Sequence, residues 1–504
     1  MNQIKGGIIL NYVIIVLNTT LGLLYTPYML RMLGQSEYGL YSLVSSIIAY
    51  LTLLDFGFGS AIIRYTAKLI SEKKTKEQWE LNGMFLCVYS VIGLIALVAG
   101  LALHSNIDWL FESKMTQSEI ELAKTMISLL IVNLVLTFPL SIFGSIISAY
   151  QDFIFQRAIN IVRLVLSTGV IVLLLFWGYR AIAMVVVQTT FNISVLIINC
   201  IYCFRKLHIH ISFSNFNWKI FKEIGYYSFW IFLSQIIDRI YWGTSQFVLG
   251  ATIGTIAVAV YSVAILLQQM YMTFSSSISN VLLPKLTMLA NSVGNEKQIS
   301  DLFIKAGRLQ STVMAFILSG FIIFGSDFIK TWAGVDYAQS YPITLIFFVS
   351  LFIPTIQTTG YAILQARNQM KFRSLVYLII SLFSLWLQCV LSRQYGVIGC
   401  AIAVGGALIL GQGLVMNIYY NNTQHIAIGQ FWREIMNTLI VPIIMTVAFL
   451  LIRGQLPLSN IFQIGTMIIV FSMIYIPICY KFSLNSYEKS LVKSIICRIP
   501  ILKK

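Results

Sequence analysis

The chain has 504 residues, 58% of them hydrophobic and only 10% charged, with a formal net charge of +16 and a mean hydropathy of +0.83. A water-soluble domain carries about a quarter charged residues, so this composition excludes one and predicts an all-α integral membrane protein whose sides face lipid. The positive balance does not point to nucleic acid, because the basic residues sit in short segments between apolar runs, where orientation signals belong.

A membrane-crossing helix needs about 20 mostly apolar residues. Taken in chain order, such runs fall near 8–30, 39–63, 82–103, 122–147, 158–177, 181–203, 224–248, 253–282, 309–328, 342–365, 374–392, 396–418, 436–453 and 461–480, about 14 transmembrane helices. The first run follows Met1–Gly7 with no small-residue cleavage site and is expected to stay as a helix. An even count puts both termini on one side. Lys and Arg in the connectors divide roughly 25 to 7 between the two sides. The positive-inside rule then predicts a multi-pass protein of the bacterial inner membrane with N- and C-termini cytoplasmic. No external loop is long enough for a further domain. Two internal connectors, Phe216–Lys222 and the stretch after Thr75, where Thr75-Lys76-Glu77-Gln78 fits a capping box, are expected to be short interfacial helices.

Reactive residues are sparse. The seven cysteines are scattered, and the lone Cys200-x-x-Cys203 pair reads as buried small hydrophobes. The four histidines lack a nearby carboxylate or cysteine cluster, so no metal site is expected. No nucleophile elbow, P-loop or HExxH occurs, and the chain is not expected to be an enzyme or to need a cofactor.

An internal repeat organises the spans. A shift of about 220 lays Tyr41-Ser42-Leu43 on Tyr261-Ser262-Val263 and Asn18 on Asp238. A shift of about 215 lays Leu136-Thr137-Phe138-Pro139 on Leu351-Phe352-Ile353-Pro354, and a similar one matches the connectors Tyr150–Arg157 and Ala366–Arg373. The plan is a six-helix lobe over residues 1–210, a related six-helix lobe over 211–425, and two additional helices with a tail over 426–504. Paired halves of this kind build central cavities that open to each side in turn.

An ionisable residue at bilayer depth costs roughly 2.5–3.5 kcal/mol on insertion scales and calls for a reason. Asp55 lies in the second run, ahead of Phe56-Gly57-Phe58-Gly59, whose glycines permit a bend. Asp238 and Arg239 lie in the seventh on adjacent polar stripes, one with Ser234, Tyr241 and Ser245, the other with Gln235, Trp242 and Gln246. Asn18 and Tyr41 in the first two runs and Gln268 in the eighth extend the polar seams, which are expected to line a common cavity. Arg64 ends the second run, Lys285 ends the eighth and Arg163 begins the fifth, each a cavity cation or an interfacial anchor. Fixed cations suit an anionic head group, and Arg239 is the foremost candidate for phosphate because its fork of donors matches the oxygens.

The segments Leu33-Gly34-Gln35-Ser36-Glu37-Tyr38-Gly39-Leu40-Tyr41-Ser42-Leu43, Leu53-Leu54-Asp55-Phe56-Gly57-Phe58-Gly59 and Ile63-Arg64-Tyr65 resemble the N-terminal signature of Wzx-type polysaccharide flippases, in the multidrug/oligosaccharidyl-lipid/polysaccharide exporter superfamily. The resemblance implies two pseudo-repeated six-helix lobes around a central cavity plus two C-terminal helices. It also implies a substrate: an undecaprenyl-diphosphate-linked oligosaccharide, flipped to the outer leaflet for O-antigen or capsule. On that reading Arg239, Arg64 and Lys285 hold the diphosphate, while Asn18, Tyr41, Trp242 and Gln268 face the sugars. Asp55 and Asp238 are candidates for a coupling proton or sodium ion, with a structural hydrogen bond as their other reading. The partners are the lipid-linked oligosaccharide and membrane lipid, with a glycan polymerase and glycosyltransferases acting beside it and no nucleic acid. The alternatives are a drug/cation antiporter of the same superfamily and a membrane glycan polymerase or ligase.

Overall fold

The computed structural model of the chain describes residues 3–214, 218–290, 296–367, 369–453 and 460–496. Every regular element among them is helical. Backbone groups in hydrocarbon must be satisfied within the protein, and a helix does this within one segment. By length and apolarity ten of the described helices are fit to cross a membrane, or eleven if the bent pair Ser340–Ile356 and Thr358–Gln365 forms one span. Fourteen separate spans are not resolved by this criterion, because successive runs join almost without a break. Gly6–Ser71 has 66 residues and Met370–Asn422 has 53, about 100 and 80 Å of helix against a core of roughly 30 Å. Met370–Asn422 is interrupted at Gly396 (φ 61°), and Gly6–Ser71 at Gly34 (φ 76°) and again at Phe56-Gly57 (φ 50° and 73°). A residue with a Cβ is strained there.

The chain divides into two compact units, Met1–Ala259 and Val260–Lys504. Unit 1 contains α1 (Gln3–Leu51), a 3-10 turn at Thr52–Asp55, α2 (Phe58–Ser71), α3 (Thr75–Ser105), α4 (Ile107–Phe111) and α5 (Gln117–Ala149). It continues with α6 (Phe153–Phe176), α7 (Ala181–Arg205), α8 (Trp218–Trp242), α9 (Thr244–Thr252) and the start of α10 (Thr255–Ala290). Helix α5 is the hub, packed on α3, α7, α2 and α1. Its neighbours close over a core that includes Phe58, Phe85, Tyr89, Phe138 and Phe143. Lipid is as apolar as these side chains, so the gain comes from close packing rather than from leaving water.

The connectors correct two expectations. Helix α3 starts at Thr75 and runs unbroken to Ser105, so residues 76–80 are its first turns and not a separate interfacial helix. The expected capping box is not formed: Lys74 holds the cap position without a side-chain bond, and Gln78 donates instead to Tyr150 Oη at 2.9 Å. The box lies at α5, where Thr116 accepts from the Glu119 N–H at 3.4 Å and Glu119 accepts from the Thr116 N–H at 2.9 Å. In the second connector, 215–217 lie outside the described residues and 218–222 open α8.

Unit 2 contains the rest of α10, then α11 (Glu296–Trp332), α12 (Ser340–Ile356), α13 (Thr358–Ala366) and α14 (Met370–Leu408). A π segment at Ile409–Val415 leads into α15 (Met416–Asn422), α16 (Ile428–Arg453), α17 (Ile461–Phe482) and α18 (Ser486–Ile496). Helix α11 carries α12 on one side and α16 and α17 on another. Phe324, Phe449, Phe471 and Tyr475 interlock between them.

The last helices are pinned by a buried ion cluster. Arg308 on α11 is 5% exposed, and its Nε donates to Glu488 Oε1 at 2.8 Å. Its Nη1 donates to Glu434 on α16 at 2.7 Å, and its Nη2 to the Ser483 carbonyl at 3.2 Å. Glu488, 1% exposed, also closes a reciprocal cap with Asn485 at the start of α18.

The repeat is visible in the backbone. Gly34 and Gly254, 220 positions apart, both take positive φ, as do Gly178 and Gly396, 218 apart. His208 and His425, 217 apart, share φ near 50° (50° and 53°), an uncommon value for a residue with a side chain. Three pairs of turns recurring near the sequence offset are what a duplicated chain retains.

Candidate functional site

Unit 1 carries a half-open cavity of about 420 Å³ between α1, the 3-10 turn, α5, α6 and α7. Polar and apolar side chains share its wall: Thr52, Asn133, Thr137, Arg163, Ser167, Gln188 and Asn192 beside Ile48, Leu130, Leu134, Leu164 and Phe191, with no carboxylate in the lining. The α5–α7 side is fixed by its own hydrogen bonds. Asn192 Nδ2 donates to Asn133 Oδ1 at 2.8 Å and to Thr137 Oγ1 at 3.0 Å, while Thr137 donates to the Asn133 carbonyl at 2.7 Å. Gln188 meets Tyr41 of α1 at 2.8 and 3.0 Å.

Arg163 is the charge in this wall. It lies ten residues into the 24-residue helix α6, about 15 Å from its start, a mid-helix position that suits the cavity cation, of the two readings open from the sequence, better than the interfacial anchor. Gln156, Asn160, Arg163 and Ser167 recur at helical spacing and make one polar stripe. Its guanidinium has no hydrogen-bond or ion-pair partner among the described residues. An unneutralised charge at this depth is costly, and such residues mark functional pathways. The whole stripe was legible in the sequence. The apolar run expected from residue 158 leaves Gln156 outside it, whereas α6 starts at Phe153 and brings Gln156 into the stripe.

The structure distributes the other predicted residues. Tyr41 joins the cavity wall through Gln188. Arg239, half-buried near the end of α8, receives a hydrogen bond from Tyr50 Oη on its carbonyl at 3.2 Å, and Trp242 packs on Tyr241. Asn18, Arg64 and Asp238 are exposed on α1, α2 and α8. Gln268, buried in unit 2, donates to Met272 Sδ at 2.8 Å one turn on. The side chain of Lys285 lies outside the described residues. Asp55 ends the 3-10 turn, where Tyr89 donates to its Oδ1 at 2.5 Å and the Gly57 and Gly59 N–H groups face it. Positive φ at Phe56 and Gly57 turns the chain there into α2, so the bend expected from the glycines is present and Asp55 anchors it.

Long apolar helices, paired turns and a cavity with polar groups part-way along the helices are features of a multi-pass membrane transporter. The chain belongs to the polysaccharide biosynthesis protein family, whose profile matches residues 4–290. It is 20% identical over 401 residues, 78% of this chain and 92% of the other, to a Shigella flexneri protein described as a candidate O-antigen transporter. Its fold is similar to that of the lipid II flippase MurJ in an inward closed conformation (TM-score 0.70, 18% identity, 93% of this chain and 99% of that one). It is also similar to an inward-facing multidrug resistance transporter of the MATE family (TM-score 0.63, 14% identity, 81% and 96%).

Proposed function

We propose that this protein is a flippase that moves an undecaprenyl-diphosphate-linked oligosaccharide from the cytoplasmic to the outer leaflet of the inner membrane by alternating access. The observation that carries this reading is the Arg163 cavity, which joins an unpartnered guanidinium to fixed amides, hydroxyls and one aromatic ring. Amides and hydroxyls suit sugar hydroxyls, the ring suits a sugar face, and the guanidinium suits an anionic group of the head. A drug/cation antiporter is disfavoured, since a cationic ligand would meet a guanidinium and no lining carboxylate.

The termini lie in the cytoplasm, as the basic connectors require. The polyprenyl tail stays in lipid while the head passes through the protein. Arg239 and Tyr41 extend the binding surface on α8 and α1. Asp238 is the candidate for a coupling proton or sodium ion, and Asp55 serves the α2 turn. Glycosyltransferases supply the substrate and a glycan polymerase consumes it.

Cells lacking this protein are expected to make the lipid-linked glycan but hold it inside. A membrane-impermeant glycosidase added to spheroplasts should leave it intact, and digest it in complemented cells. Digestion in the deletion strain would place this protein at a later step, such as polymerisation or ligation.

A further inference from the structure

One seam in unit 1 joins a hydroxyl–carboxylate clasp to close glycine contacts. Helix α1 packs on α9, and Gly39 and Leu43 in its second half meet Thr255 at the start of α10 and Gly250 of α9. At its end Glu119 Oε1 accepts from both Ser36 Oγ, at very short range, and Thr255 Oγ1 at 2.8 Å. The other carboxylate oxygen is committed to the Thr116 N–H at 2.9 Å, so the acceptor is held on α5 while its two hydroxyl partners belong to separate helices. Below the clasp, a Cβ on Gly39 would lie 1.9 Å from the Thr255 carbonyl oxygen, and a Cβ on Gly250 would lie 2.8 Å from the nearest Leu43 atom. Gly39 thus lets α1 meet the backbone of α10, and Gly250 makes room on α9 for the Leu43 side chain. Helix α9 is nine residues long and is bounded by Gly243 and by Gly254 at φ +123°.

These features suit a joint that parts and re-forms. A hydroxyl–carboxylate clasp at a helix end exchanges its hydrogen bonds with water when opened, so parting costs little net hydrogen-bond energy. A short helix between glycines moves as a unit, its ends absorbing the backbone change. With both termini cytoplasmic, the Gly34 turn that opens this seam lies on the external side.

We propose that this seam is the external closure of the translocation path, with Glu119 the fixed keeper of a latch whose moving parts are Ser36 and Thr255, and Gly39 the residue that lets it shut. The proposal rests on the translocator reading. It also gives Gly34, Ser36 and Gly39, within the segment that carries the family resemblance, a conformational role rather than a substrate-binding one.

The test uses the full-length protein with its seven native cysteines replaced by serine and one reporter, Leu43→Cys, at a site 1% exposed within the seam. Gly39→Ala adds a methyl that cannot be seated against Thr255 backbone. It is expected to raise the rate of external labelling by an impermeant thiol reagent about tenfold, a population shift toward the open seam. Glu119→Gln, which keeps the shape and weakens the acceptor, should raise it by less. Because Gly39→Ala could fail to fold, a second form carries Ser36→Cys with Thr255→Cys, whose native side-chain oxygens are 3.5 Å apart. Oxidation of that pair should stop glycan translocation and reduction should restore it. Unchanged labelling in folded Gly39→Ala, or translocation by the oxidised pair at the reduced rate, would overturn the proposal. Labelling that changes as expected in a protein that flips no glycan keeps the latch and removes the translocator reading.

Discussion

Arg308→Ala is expected to lower stability by about 3–5 kcal/mol, the range for removing one partner of a buried ion pair. The loss would follow less from the missing attraction than from Glu488, which would remain 1% exposed with its charge uncompensated. Glu434 is more exposed and can recover water, so Glu434→Gln should cost far less. The cluster joins α11, α16 and the Ser483–Glu488 corner, so Arg308→Ala should first release the last three helices. Limited proteolysis near α18 and the melting temperature in detergent read this directly. Arg308→Met combined with Glu488→Leu should recover most of the loss, since a packed apolar pair often matches a buried ion pair. A melting temperature unchanged in Arg308→Ala would show that the cluster does not hold these helices.

Arg163→Gln is expected to act in opposite directions on stability and on transport. Glutamine keeps a polar group in the stripe with Asn160 and Ser167 but removes a charge at mid-helix that no described residue pairs. Folding should therefore be unaffected or improved. A charge-assisted hydrogen bond to an anionic head contributes about 1.5–3 kcal/mol, so translocation should fall about 10- to 100-fold. Arg163→Lys should retain part of the rate, because it restores the charge without the bidentate fork. Glycan flux measured against protein level and melting temperature separates this outcome from simple misfolding. A Gln variant that is destabilised yet transports normally would make Arg163 a structural residue.

The sequence revealed the fold in its periodicities but not in its joints. Apolar runs and the offset near 220 anticipated the helices and the paired turns, because lipid permits little besides helix and duplication preserves positive-φ positions such as Gly34 and Gly254. The boundary at Gly243 that separates α9 from α8 was not anticipated: an isolated glycine in an apolar run carries little local signal, and tertiary packing decides its conformation. The capping box was sought at Thr75, whereas Thr116-Gln117-Ser118-Glu119 has the same pattern directly before an apolar run and forms it. Asp55 stood out as a buried charge, but sequence does not show that Tyr89, 34 positions on, reaches it. Nothing in the sequence sets Arg308 apart from the connector cations; the fold places Glu488, 180 residues away, against it. Long-range polar pairing is set by helix packing, and composition and spacing are blind to it.

The most direct test of the central claim is translocation by the purified protein alone. Liposomes containing it and a lipid-linked oligosaccharide of the host cell would be treated with an impermeant glycosidase. The account predicts that protein-free vesicles stop at about half digestion, the outer-leaflet share, while those with the protein proceed toward completion. It also predicts that Arg163→Gln vesicles behave as if nearly empty. Arrest at the outer-leaflet share with folded, correctly inserted wild-type protein, whether or not an ion gradient is imposed, would contradict the account.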